Sequence, residues 1–79
     1  MARFYFDIHN DDITLDSEGI DCADADAAKD RATREIWNLA ADAIQKSGRV
    51  RLSDRIVVKD NSRKAIADIS FGAAIEIID

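Results

Sequence analysis

RFYFDIHNDDITL, residues 3–15, decides the fold. Phe4, Phe6 and Ile8 alternate with Arg3, Tyr5, Asp7 and His9. That period of two gives a β-strand one apolar face for a core and one polar face for solvent. Asn10-Asp11-Asp12 supplies a turn, because Asn and Asp tolerate left-handed backbone and hydrogen-bond their own chain. Ile13-Thr14-Leu15 resumes the alternation as a second strand, with Ile13 and Leu15 expected inward and Thr14 outward. Asp16-Ser17-Glu18-Gly19 breaks the hairpin, and Ile20 to Cys22 either prolongs its second strand past a bulge or leads into the next element.

The rhythm then changes to helical. Asp24 is placed to cap a helix reaching about Ser47, and Asp26 and Asp30 suit its positive end. At 100° per residue, Ala25, Ala28, Ala32, Ile36, Leu39, Ala40, Ala43 and Ile44 form one stripe, with Trp37 on its flank. Alanines near the start let the helix lie close to a sheet. Lys46 and Gly48 are stop signals. Val50 and Leu52 are expected to dip into the core. Period two returns in Arg55–Lys59, with Ile56 and Val58 inward and Val57 outward. After an Asp60-Asn61-Ser62 turn it returns again from Lys64 to Phe71. There Ala65, Ala67, Ile69 and Phe71 share one face, and Ile66, Asp68 and Ser70 the other. Residues 72–79 fit either a helical turn or a strand end. The order is ββαββ: one α+β domain over residues 1–79, an amphipathic helix on a four-stranded antiparallel or mixed sheet of open strand order.

The pattern resembles a family of short bacterial proteins known only as a domain of unknown function. It is carried by the aromatic opening strand Arg3–Ile8, the acidic loop Asp16-Ser17-Glu18-Gly19-Ile20, the alanine-rich helix, and a second hairpin ending near Ile69-Ser70-Phe71 and Ala74. The chain departs from that family in carrying Asp11-Asp12 and Asn61-Ser62 where the family's hairpin turns carry Gly. The resemblance implies a fold and supplies no activity. The strand Phe4–Ile8, Gly19 and the helix start at Asp24 are also similar, more loosely, to small antitoxin domains of the HicB type. That similarity implies an antitoxin-like or regulatory protein that binds another protein.

Charge narrows the partners. The chain of 79 residues carries a net −5, unevenly spread. Residues 1–30 hold nine acids against Arg3 and Lys29, whereas Lys46–Lys64 holds seven bases against Asp54 and Asp60. The net charge argues against nucleic acid and membrane surfaces. A nucleic-acid binder working through Lys46–Lys64 is the alternative. It would need three or more of those bases on one solvent face with an aromatic among them. No apolar run approaches a membrane span, no apolar signal core opens the chain, and a single cysteine fits a reducing cytoplasm.

No constellation for chemistry stands out. His9 is the one histidine, and its neighbours Asp7, Asp11 and Asp12 suit a turn better than a metal site. Asp16–Gly19 lacks the spaced acids and distal glutamate of a calcium loop. Its expected role is structural, with Gly19 at positive φ and carboxylates on nearby backbone N–H groups. Cys22 is flanked by Asp21 and Asp24, which disfavour a thiolate. No serine sits in a motif that would activate it, and the three glycines are isolated. The expectation is a protein without catalytic, cofactor-binding or metal-binding residues. What finds no place in a one-helix core is Tyr5, Val57 and Ile66 on the far sheet face and Trp37 at the helix edge. With so few large apolar residues for a core, these four form the candidate interface of a small cytoplasmic protein-interaction module, expected to self-associate as a homodimer or else to bind another protein.

Overall fold

The computed structural model describes residues 1–79. Strands β1 (Ala2–His9), β2 (Ile13–Thr14) and β3 (Ile20–Cys22) precede the helix α1 (Ala25–Ser47); β4 (Arg55–Lys59), β5 (Ala65–Ser70) and the single turn α2 (Phe71–Ala74) follow it. Every pairing is antiparallel. The sheet order is β2-β1-β4-β5, and β3 is a fifth strand that also pairs with β1. The sequence α+β assignment holds, with Ile20–Cys22 a strand in its own right. β2 and β3 share one edge of β1: β2 pairs at Ile8 and His9, β3 at Ala2 to Phe4.

Local chemistry sets the helix ends. The Asp24 side chain accepts the Ala27 N–H at 2.8 Å. At the other end Gly48 takes φ 70° and its N–H donates to the Ile44 carbonyl, a left-handed cap that a side chain would strain. The buried stripe is narrow: Ala28, Ala32, Ile36 and Ala40. They meet Phe4, Ile56, Val58, Phe71 and Cys22 in one core. Three alanines in four positions bring the helix close but cover little area.

Several expected core positions lie elsewhere. Ile13 and Leu15 are exposed, because the register pairs Thr14 with Ile8 and Ile13 with His9. That sets Thr14 on the helix side and Ile13 on the far side, and β2 ends before Leu15. Ile44 and Leu52 are also largely exposed. Ile66 moves the other way. The β4–β5 register shifts between Val58 and Lys59, a bulge that makes Ile66 the extra residue, and Ile66 packs against the core cluster instead of facing outward. Residues 71–74 form one helical turn capped by the Ser70 side chain, and Ile75 returns to extended backbone.

Candidate functional site

The sheet face away from α1 has no second layer, yet it is not apolar. Its residues are laid out by the register: Tyr5, Asp7 and His9 on β1 opposite Lys59, Val57 and Arg55 on β4, with Asp68 and Ser70 on β5. Ion pairs bind this lattice together. Lys59 Nζ lies 2.7 Å from Asp7 Oδ2, Arg55 Nε 3.2 Å from Asp68 Oδ1, and Arg3 Nε 3.2 Å from Asp21 Oδ1. His9 Nδ1 is 3.4 Å from Arg55 Nη2. Val57 is the centre of the lattice and only 9 % exposed. The expected apolar outer patch is therefore replaced by charged side chains whose stems shield the one valine between them.

Asp7, expected at solvent, is 1 % exposed. Its Oδ1 accepts the Asp16 N–H at 2.9 Å. Oδ2 has no hydrogen bond of good geometry, but the Lys59 ammonium is near enough to balance its charge whatever the angle. Burial pushes the Asp7 carboxyl up; Lys59, the Asp16 N–H and the nearby His9 together outweigh it and hold the group below its ordinary value.

Asp16 organises the loop that follows. Its Oδ2 accepts the Phe6 N–H at 3.1 Å, and its Oδ1 accepts from Gly19 at 3.0 Å and Glu18 at 3.2 Å. Burial raises this carboxyl too, and those three N–H donors with Arg63 bring it below its ordinary value. Gly19 sits at φ +73°, where a Cβ would come within 2.9 Å of Arg3 Cγ, Phe4 O and Tyr5 Cε1. The acidic loop thus has the structural role expected of it. Arg63 closes the arrangement from the opposite hairpin, its guanidinium 3.6 Å above the Tyr5 ring and Nη1 3.3 Å from the Asp16 carbonyl.

The four candidate interface residues do not converge. Tyr5 lies under Arg63, Val57 under the ion-pair lattice, and Ile66 against the core. Trp37 is half exposed on α1, with its indole N–H donating to the Ala74 carbonyl at 2.8 Å. Cys22 is buried. No group of three or more His, Cys, Asp or Glu side chains is placed to hold a metal ion, and no helix is long and apolar enough to cross a membrane.

Partly buried apolar residues, mixed with charged ones, line clefts on the helix side. A cleft of 730 Å³ runs between the C-terminal half of α1 and the β1–β2 hairpin, with Ile8, Leu39, Ala43, Val50 and Phe71 in its lining. A second, of 440 Å³, lies between β1 and residues 14–20, with Phe6, Ile8, Leu15 and Ile20 in its lining. The two meet at Ile8. Sequence periodicity places Phe6 and Ile8 on the core face but does not say that the helix misses them. The available signal was the alanine content of the stripe, too thin to cover two large residues on a strand beside the sheet edge.

Fold and surface define the class: a small α+β domain with one long helix across an antiparallel sheet whose other face is held by ion pairs. Within that class the chain belongs to DUF6894, a domain of unknown function, whose family model matches residues 3–72. No curated protein and no solved structure matches the chain.

Proposed function

We propose that this chain is a small, non-catalytic, cytoplasmic protein-interaction module of bacterial origin. The observation that carries the reading is the asymmetry of its surface. On the outer face charge is matched pair by pair, whereas on the helix side Phe6, Ile8 and Leu39, packed on the core but not fully buried, open into adjoining clefts. Apolar side chains left partly open in a cleft gain by contact with another macromolecule. Self-association through the outer face has less to support it, since Val57 is already shielded and Ile66 turned inward. The helix-side groove is the better surface for a partner, whether a second copy or, in an antitoxin-like role, another protein.

The nucleic-acid alternative requires bases that share a solvent face with an aromatic. Arg55, Lys59 and Arg63 do share the outer face with Tyr5. However, Asp68 and Asp7 neutralise the first two, and Arg63 covers the ring on which a base would stack. Sedimentation of the purified chain over a concentration range, beside capture from lysate with and without nuclease, tests the proposal. Self-association or a nuclease-resistant protein partner, lost on Leu39→Glu in a chain that still folds, is expected. A strict monomer whose captured material disappears with nuclease would overturn it.

A further inference from the structure

The rim of the groove is acidic. Six acids line the two clefts against Arg49 and Arg51; Asp42 is paired with Lys46 and Asp16 is taken up by backbone donors and Arg63, so Asp12, Glu18 and Asp54 stand against Arg49, a net −2. Arg51 is tied to the Asp11 carboxylate, which leaves Arg49 the only rim cation without an ion-pair partner. Asp12 and Glu18, one at each cleft, make no ion pair. Phe6, Ile8, Leu39 and Val50 give the lining its apolar part, and the lip includes Leu15, 66 % exposed. Such a surface selects on two criteria together. Apolar side chains gain by leaving water on the floor, and the rim attracts cationic flanks while repelling acidic ones.

Resting on the reading of the groove as the interaction surface, we infer that its occupant is a cationic amphipathic segment of another protein, with apolar residues on one face and Lys or Arg beside them. A second copy of this chain fits less well. Five of the seven bases of its own basic stretch are engaged internally, Lys46 on Asp42, Arg51 on Asp11, Arg55 on Asp68, Lys59 on Asp7 and Arg63 over Tyr5, which leaves only the separated Arg49 and Lys64. Two copies at −5 each also repel.

The test uses the full chain and a short fluorescein-labelled peptide of Leu and Lys at helical spacing. Controls are the same composition with its leucines scattered, and the Leu/Glu counterpart. Fluorescence anisotropy should show saturable binding of the Leu/Lys peptide that weakens with salt, with neither control saturating. Asp12→Lys with Glu18→Lys should weaken it by about tenfold or more, Leu15→Ser should weaken it measurably, and Lys64→Glu on the far hairpin should leave it unchanged. Amide chemical shifts should move at Phe6, Ile8, Thr14 and Ala43 and not at Val57 or Asp68. Equal binding of the scattered peptide, shifts confined to the outer face, or no saturable binding would overturn the inference. If the Leu/Lys peptide fails while lysate capture still yields a protein partner through Leu39, the interaction reading stands and only the assigned partner chemistry falls.

Discussion

The Asp16 carboxylate stands in for a missing strand at Phe6. β2 ends at Thr14 and β3 begins at Ile20, so the edge of β1 between them has a backbone donor with no partner strand. Asp16 Oδ2 accepts that Phe6 N–H at 3.1 Å while Oδ1 holds the turn at Glu18 and Gly19. One side chain thus satisfies three backbone donors and blunts a sheet edge that would otherwise invite pairing.

Replacing Asp16 with Ala is expected to cost roughly 2–4 kcal/mol, since three donors lose a charged acceptor at once. Asp16→Asn, which keeps one oxygen, should cost about half as much. Urea denaturation of both variants at neutral pH checks the ranking; equal midpoints for wild type and Asp16→Ala would show that water replaces the carboxylate without loss.

How far the sequence speaks for the structure depends on the kind of interaction. Periodicity finds α1, β1 and β4, because alternation and the alanine stripe are local consequences of burial. Gly19 is legible for the same reason, since a positive φ leaves its mark on residue choice. Asp7 is not legible: an acid at an outward position reads as solvent-exposed, and its burial depends on Lys59 and Asp16 arriving from distant parts of the chain. Ile66 is misread because a one-residue bulge inverts the face without altering composition. The groove is invisible because it depends on where the helix lies across the sheet, which no alternation pattern encodes.

Acid should weaken the fold through Asp7 and Asp16. Both carboxyls lie below their ordinary value of 3.8 in the folded chain. A lowered folded value means that their stabilisation is complete above the unfolded value and is lost as pH falls through the lower folded one. Urea midpoints should be flat with respect to these two groups above about pH 5 and fall steeply below about pH 4. Asp7→Asn should be less stable at neutral pH and lose less on acidification. An Asp7→Asn variant that tracks the wild-type pH profile in parallel would remove Asp7 from the acid response.

Ile36 and Leu39 sit on the same helical stripe but in different surroundings. Ile36 is fully buried, whereas Leu39 is only partly buried and lines the larger cleft. Ile36→Ala should cost about 3–5 kcal/mol, the range for a cavity in a closed core. Leu39→Ala should cost about 1–2 kcal/mol, because the vacated space opens to water and less apolar area leaves the interior. Calorimetric melting of the two variants, with Gln45→Ala as a surface reference, decides the order. Equal losses at 36 and 39 would mean that the cleft is closed in solution, which would also remove the floor on which the proposed partner rests.

Arg63 is the one non-glycine residue at positive φ, 67°, a conformation that costs an L-residue about 1 kcal/mol. It occupies the fourth position of the Asp60–Lys64 hairpin turn, where the Asp60 carbonyl accepts the Arg63 N–H and the Lys64 carbonyl the Asp60 N–H. Glycine would relieve the strain. Arginine offsets it by covering the Tyr5 ring and bonding the Asp16 carbonyl, contacts of about 0.5–1 kcal/mol each at a surface. Arg63→Ala keeps most of the strain and loses both contacts, so it should destabilise by about 1–2 kcal/mol. Arg63→Gly loses the contacts but sheds the strain, and should fall within about 0.5 kcal/mol of wild type. In a Tyr5→Leu background, which removes the ring partner, Arg63→Gly should become stabilising. Denaturation of the six chains, Arg, Ala or Gly at position 63 in each background, resolves the balance. If Arg63→Gly is as damaging as Arg63→Ala in both backgrounds, the backbone strain at this turn is not what the arginine offsets.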